Sequence, residues 1–200
     1  MSGDSRMLQN FCCVDGVRID HTADEVDAIL QFIDEKDLNG FVELGMHEGG
    51  LALCIMKELP RLNYLGVTPH ISMVNDITIL KADKHRYTLI LEGDTVSAEI
   101  VTQINNWLTD RWPILFYCDG DKKIAQLEMY RHLVRHGDFL GVHDYWNKSR
   151  IIDGIIDYPY GNLQPEVLDT DIKFLKHEFQ AVRFEPLIST RIAILQRRTK

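Results

Sequence analysis

Long hydrophobic runs are missing from this 200-residue chain. No uninterrupted apolar stretch approaches the ~20 residues that span a bilayer, so no membrane partner is expected. Residues Met1 to Arg6 lack the apolar core of a secretory leader, and a cytoplasmic protein is the expectation. Cysteine is scarce: Cys12, Cys13, Cys54 and Cys118 include no C-x-x-C pair. That pattern fits free, packed thiols in a reducing compartment. Positive charge is in deficit, with 22 Lys and Arg against 30 Asp and Glu and a net charge of -8. Such a mean field repels nucleic acid and anionic membrane. The basic tail Gln196 to Lys200 is short, and tails of that kind are usually solvated. Low-complexity segments and internal repeats are absent too, so the length suits a single compact core. Neither a G-x-S-x-G elbow nor a local Cys-His signature occurs, which leaves hydrolytic nucleophile chemistry without support.

What is present is organised around Gly40-Phe41-Val42-Glu43-Leu44-Gly45-Met46-His47-Glu48-Gly49-Gly50 and the apolar Leu51 to Met56 behind it. The stretch starts as a buried strand, loses its side chains at Gly45, Gly49 and Gly50, and continues into an amphipathic helix. Glycine there permits positive φ and lets a ligand lie against the main chain, while the unpaired N–H groups of the first helical turn face it. A nucleotide-like ligand or an amino-acid carboxylate suits such a turn. The spacing is G-x-x-x-G-G with no Lys-Ser or Lys-Thr after it. It fits neither the dinucleotide fingerprint nor the phosphate-cradling lysine loop, and a nicotinamide-dependent enzyme is disfavoured.

Residues 1 to 21 carry weak periodicity and are expected to form an N-terminal arm, anchored by Phe11 and Val14, over a single domain of residues 22 to 200. Thr22-Ala23-Asp24-Glu25 is a capping box that opens a helix to about Asp37, closed by Asn39-Gly40. The helix after the glycine turn stops before Pro60. Strands are expected at Asn63 to Thr68, Tyr87 to Leu91, Pro113 to Asp119 and Phe139 to Asp144. Helices separate them: Ile71 to about Ala82, Val96 to Trp107 capped by Asp94 or Thr95, and a third starting at Lys122 with Asp121 as its cap. This rhythm gives an α/β, Rossmann-like, doubly wound and mostly parallel sheet. Tyr145 to Leu163, aromatic and rich in isoleucine, is expected to be a lid or substrate wall. Gln164 to His177 has helical character, and strands over Phe179 to Leu187 and Thr190 to Gln196 come after it without room for a helix between them. Ligands of open α/β sheets collect at the carboxyl ends of the strands, which brings Glu43, Asp94, Asp119, Asp121, Lys122, His143 and Asp144 to one rim.

Together with the alternating strands and helices C-terminal to it, Glu43-Leu44-Gly45-Met46-His47-Glu48-Gly49-Gly50 resembles the first motif of class I S-adenosylmethionine (SAM) methyltransferases. Its Gly-Gly ending is most similar to the branch of cephalosporin-hydroxylase-like and metal-dependent macrolide or catechol O-methyltransferases. The resemblance spans roughly residues 20 to 196. It implies a seven-stranded sheet closed by a C-terminal antiparallel hairpin, with Glu43 near the amino-acid end of SAM. Gly45, Met46, His47, Gly49 and Gly50 would wrap the methionine portion. Further cofactor contacts are implied from Thr68 at the second strand end, from Asp94 and Thr95 near the adenine, and from Asp119. This chain departs from the pattern at Thr68, with Pro69 and His70 after it, where most SAM enzymes place a carboxylate that accepts both ribose hydroxyls.

The ends of the fourth and fifth strands offer Asp119 with Asp121, and Asp144 with His143. Converging carboxylates suit Mg²⁺ or Mn²⁺, and an imidazole among them tilts the choice towards Mn²⁺, Fe²⁺ or Zn²⁺. In the metal-dependent branch an Asp after the fourth strand and an acidic pair or Asp-Asn after the fifth hold the metal. Asp119 and Asp144 stand in matching places, and His143 stands where a carboxylate is usual, so the implied metal set is Asp119, His143 and Asp144. The catechol type also carries a lysine three residues after the first metal aspartate, the spacing of Asp119 and Lys122. Beside a divalent cation its pKa falls, making Lys122 or His143 the candidate base for in-line methyl transfer to a small hydroxylated substrate. Lys123 is one residue away and is exchanged with Lys122 by a small register error.

Plainer readings stand beside these: Asp94 and Asp121 as helix caps, His143 as a packed, hydrogen-bonded histidine, Lys122 as a solvated first-turn lysine, and His47 as facing solvent. His21, His85, His132, His136 and His177 show no metal spacing. The leading expectation is a SAM-dependent O-methyltransferase with divalent-metal assistance, and a homo-oligomer is compatible with it. The alternative, motivated by Thr68 and His143, is a catalytically silent SAM- or nucleotide-binding domain on the same fold.

Overall fold

Asp15 and Gly16 both take positive φ, 49° and 83°, and turn the chain between antiparallel β1 (Cys13–Val14) and β2 (Val17–Arg18). A two-residue Asp-Gly turn matches the twist of a hairpin, so the arm has a structure of its own that weak periodicity did not reveal. In this computed structural model, residues 12–146, 151–152, 155–156, 166–168, 170–188 and 190–198 are described. Val17 and Ile19 of the arm are buried and Val14 is partly buried, whereas the anchor expected at Phe11 lies outside the described residues.

The capping box forms as expected. Thr22 Oγ1 accepts the Glu25 N–H and the Glu25 carboxylate accepts the Thr22 N–H, opening α1 (Ala23–Glu35). Its apolar face, Val26, Ile29, Phe32 and Ile33, packs into the core. The helix closes at Asp37, which takes φ 48°, not at Asn39-Gly40, because Gly40 already begins β3 (Gly40–Leu44). Along the chain come α2 (Gly50–Glu58), β4 (Asn63–Thr68), a 3₁₀ turn at Ile71–Met73, α3 (Asp76–Ala82), β5 (Thr88–Glu92) and α4 (Ala98–Trp107). Beyond these lie β6 (Ile114–Cys118), α5 (Lys123–Tyr130) and β7 (Phe139–Val142).

Three details differ from the sequence expectation. Asn75 accepts the Ile77 N–H and caps α3, dividing what reads as one helix from Ile71. Ser97, not Asp94 or Thr95, caps α4 by accepting the Ile100 N–H; Asp94 instead accepts the Val96 N–H in the preceding turn. Lys122, not Asp121, occupies the N-cap of α5, and its side chain makes no capping bond.

The C-terminal third departs furthest. It holds β8 (Tyr145–Trp146), β9 (Ile151–Ile152), β10 (Ile155–Ile156) and β11 (Val167–Leu168), with β8 parallel to β11 and β9 antiparallel to β10. Most of the lid expected over Tyr145 to Leu163 lies outside the described residues. The helix expected over Gln164 to His177 is replaced by β11 and a 3₁₀ turn at Lys173–Leu175, because the Asp171 carboxylate accepts the Leu168 N–H and turns the chain. β12 (Phe179–Ala181) is short, and a one-turn helix α6 (Glu185–Ile188) does fit before β13 (Ala193–Arg197).

The principal sheet has seven strands in the order β12-β13-β7-β6-β3-β4-β5. The pairs among β3 to β7 are parallel, while β13 runs antiparallel to both β7 and β12. The Rossmann-like sheet and its C-terminal antiparallel hairpin are therefore as expected. Alternation along the strands divides the core in two: Phe41, Tyr64, Leu115 and Tyr117 face α1 and α2, while Val42, Leu44, Leu65, Phe116 and Cys118 face α4 and α5. No helix among the described residues is long and apolar enough to cross a membrane.

The arm is clamped against the N-terminus of α2. A Cβ on Gly50 would lie 2.1 Å from the Arg18 carbonyl oxygen, a backbone atom that has no rotamer by which to escape. Gly50→Ala is therefore expected to destabilise the protein by about 2 kcal/mol or more, measured by urea denaturation. Amide exchange should accelerate over residues 12 to 21 in the same variant; an unchanged urea midpoint contradicts the clamp.

Candidate functional site

A cavity of about 620 Å³ opens at the carboxyl ends of the parallel strands, lined by Gly45, His47, Asp94, Thr95, Asp119 and His143 among others. Gly45 takes φ 111°, and a Cβ there would meet the Gly120 backbone at 2.5 Å. Glycine is needed at that point both for the turn and for the approach of the loop after β6.

The expected cofactor residues divide. Gly45, His47, Asp94, Thr95 and Asp119 line the cavity. Met46 is buried, with its sulfur over Gly66, and Gly49 and Gly50 pack beneath Thr78 and Arg18. Thr68 is also buried, donating its hydroxyl to the His70 carbonyl, while Pro69 and His70 reach the cavity in its place. Glu43 faces the core: the Tyr64 hydroxyl donates to its carboxylate, and burial lifts its pKa from 4.5 to about 8 despite that bond. Asp94 accepts from Lys122 Nζ at 2.7 Å, and Thr95 accepts from Gln126.

The expected chemical residues divide as well. Asp119 and His143 come directly after Cys118 and Val142, which pair across β6 and β7, so the register sets them side by side. His143 Nδ1 lies 2.8 Å from Asp119 Oδ1. Lys122 does not join them. It points to the rim at Asp94, and Lys123, one residue on and about 100° round the helix, enters the cluster instead. Its Nζ lies 2.6 Å from Glu166, 3.2 Å from Asp144 and 3.8 Å from Asp119. Asp144, at φ 54°, turns its other oxygen to Arg191 Nη1 at 2.6 Å.

Sequence reasoning missed four members, Glu166 at the end of the Lys123 contacts among them. Arg191 bonds Glu25 through Nε at 3.0 Å and Nη2 at 3.1 Å, and the far nitrogen of His143, Nε2, sits 3.5 Å from the same carboxylate. The capping box marked Glu25, but only as a cap. His21 comes from the arm, with Nε2 2.9 Å from the Tyr117 hydroxyl and 3.5 Å from Asp119 Oδ2. A spacing test along the chain has no means of finding a partner ninety-odd residues away.

Burial lowers the His21 pKa to about 4, with the charge on His143 adding to it, so this imidazole is neutral. Burial also opposes the charge on His143, but Asp119, Glu25 and Asp144 outweigh it and raise the pKa to about 10. Burial disfavours the ammonium of Lys123 too; Asp119, Glu166 and Asp144 reverse this, and its pKa is raised. Asp119 is held below the usual carboxylate range against burial by His143, His21 and Lys123.

The set Asp119, His143 and Asp144 does not fit Mg²⁺. That ion wants oxygen ligands, yet one of the three is an imidazole and both oxygens of Asp144 already meet cations, Arg191 and Lys123. What does converge is His21, Asp119 and His143, whose ligand atoms lie within 4.8 Å of one another.

No protein-family model and no curated protein matches the chain. Its fold is that of the class I SAM-dependent methyltransferases. Among solved structures, the apo N160 form of CmcI aligns at a TM-score of 0.69, covering 94% of this chain and 77% of CmcI at 14% identity. The D160 form of CmcI with Mg and SAM gives 0.66 over the same shares, also at 14% identity. A putative caffeoyl-CoA O-methyltransferase from Staphylococcus aureus gives 0.57, over 91% of this chain and 86% of that one at 14% identity.

The charge arrangement has two measurable consequences. Lys123→Ala leaves Asp119, Asp144 and Glu166 facing one another and is expected to cost about 3 to 5 kcal/mol, whereas Lys122→Ala, at the exposed rim, should leave the denaturation midpoint unchanged. Equal effects contradict the assignment of Lys123 to the cluster. Glu43 has a raised folded pKa, so the folded state binds the extra proton between pH 4.5 and about 8. Stability therefore falls as pH rises through that window, on the order of 1 kcal/mol per pH unit. Glu43→Gln should remove this slope in denaturation curves taken at pH 5, 6.5 and 8; parallel curves for the two proteins rule it out.

Proposed function

We propose that this chain binds SAM and transfers its methyl group to a hydroxyl of a small molecule. The observation that supports this best is the cavity at the strand ends, lined by Gly45 and by an ionised cluster, on a sheet of class I methyltransferase topology. Structures with the same fold include CmcI with Mg and SAM and CmcI with SAH, the demethylated product S-adenosylhomocysteine.

Methyl transfer is an in-line displacement in which the acceptor oxygen bonds the methyl carbon as the carbon–sulfur bond breaks. The hydroxyl proton must leave as this happens. In this reading Lys123 is a fixed positive charge beside the acceptor and favours its oxyanion form, not a base. The proton passes to Asp119, which is ionised in its pair with the charged His143 across the 2.8 Å bond; because that carboxylate is held below the usual range, it relays the proton to solvent and does not keep it. No step runs through Mg²⁺, because the ligand set expected for it is neutralised by Arg191 and Lys123.

A silent SAM-binding domain is the second reading, favoured by the burial of Thr68 where a ribose-binding carboxylate is expected. Calorimetry with SAM and with SAH tests the first step, and SAH release with a panel of hydroxylated small molecules tests the second. The proposal expects saturable binding of both ligands and turnover with at least one acceptor class. Absence of binding to either ligand overturns it, and binding without any turnover leaves the silent domain.

A further inference from the structure

We propose that the edge of the principal sheet at β5 docks against the same edge of a second copy of this chain, antiparallel about a two-fold axis at Ile90. The inference does not depend on the methyltransferase reading.

The sheet ends in β12 on one side and β5 on the other. At β12 the edge is three residues long, and its Phe179 carbonyl accepts from Arg198 Nε. β5 is longer and pairs with β4 alone among the described residues. Main-chain groups alternate in direction along a strand. The Tyr87 carbonyl accepts from Tyr64 N–H and the Gly93 N–H donates to Thr68, both on β4. Odd-numbered residues therefore face β4, and Ile90 and Glu92 turn their N–H and C=O groups outward. The Thr88 N–H is already taken by the His85 carbonyl in the preceding turn.

Proteins blunt such an edge with proline, lysine, inward charges or a bulge. Thr88 to Leu91 contains no proline and no charge, and the register with β4 runs without a bulge. Apolar side chains are also left at the surface there: Tyr87 is 37% and Leu89 39% exposed, and on α3, which lies against β5, Leu80 is 58% exposed. An apolar strand with outward-facing donors and acceptors is a template for another strand.

The charges at its two ends select a second copy as that strand. Lys84 and Arg86 precede β5, whereas Glu92 ends it and Asp94 comes directly after. Antiparallel pairing about a two-fold axis brings the basic end of each copy to the acidic end of the other, while parallel pairing sets like charges together. With the axis at Ile90, the middle of the strand, the outward groups match. Ile90 exchanges both main-chain bonds with its counterpart, and the Glu92 N–H meets the partner's Thr88 carbonyl. Leu89 then faces Leu91 across the seam, and Arg86 falls opposite Asp94 and diagonal to Glu92. Asp94 already accepts from Lys122, so Glu92, which is exposed, is the carboxylate more open to Arg86 of the partner subunit. Gly93 and Asp94 line the cavity, so the seam braces one end of it.

The test is sedimentation velocity on the full chain over a concentration series, with amide exchange measured on the same samples. A dimer is expected, with slow exchange at Ile90 and Glu92 that quickens on dilution. Leu89→Lys should weaken dimerisation at least tenfold while the circular dichroism spectrum stays unchanged; Leu89→Gln gives the same comparison if the lysine variant does not fold. Arg86→Glu and Glu92→Arg should each weaken it severalfold, and the double variant, which inverts the charges on both sides of the axis, should return it to within threefold of the original. A chain that stays monomeric at high micromolar concentration overturns the inference. So does a dimer indifferent to the Leu89 variants, or a double variant no stronger than the single ones.

Discussion

Glu25 is the carboxylate on which the geometry of the strand ends depends. It sits in the first turn of α1, fully buried, where an unpaired charge costs several kcal/mol. Its oxygens are taken up by two guanidinium bonds, by the backbone N–H groups of Thr22 and Arg191, and by the approach of His143. One carboxylate thus ties the start of the first helix, the entry to β13 and the end of β7. An ion pair at such depth adds little net stability compared with apolar packing, but breaking it is costly. It therefore serves to set the mutual positions of three segments distant in the chain.

From that anchor the charges continue outward in order. Arg191 reaches past Glu25 to Asp144, Asp144 meets Lys123, and Lys123 ends on Glu166 at the surface. Each carboxylate in the series has its cation, so the rim divides into two parts. One half is an ion network. The other is the group of Asp119 with two imidazoles, tied to the network by longer contacts: His143 to Glu25 at 3.5 Å and to Asp144 at 3.6 Å, and Lys123 to Asp119 at 3.8 Å.

The parallel half of the sheet was legible because its apolar strands and amphipathic helices repeat without interruption and each is bounded by a cap or a glycine. The C-terminal third was not. There the strands before β13 are two or three residues long, too short to show a period, and side chains such as Asp171 redirect the backbone locally. Asp119 and His143 were legible because they end strands that pair in register. Lys122 and Lys123 were not separable, since a single residue on a helix decides whether a side chain meets the rim or the interior. His21, Arg191 and the second role of Glu25 are tertiary facts: the arm, the first helix and the last strand meet only after the sheet has formed.

The histidine at position 143 and the arginine at 191 belong to one arrangement. A carboxylate at the place of His143 would, with Asp119 and Asp144, concentrate negative charge at the strand ends. Here the imidazole removes one of those charges, and Arg191 with Lys123 neutralises Asp144 from within the protein. The left-handed backbone of Asp144 turns its carboxylate between these two cations. A carboxylate at 143 would lie against Glu25, which in this structure meets the nitrogen of a ring. His143 and the network are thus mutually dependent: the ring nitrogen meets Glu25 while Arg191 and Lys123 hold Asp144.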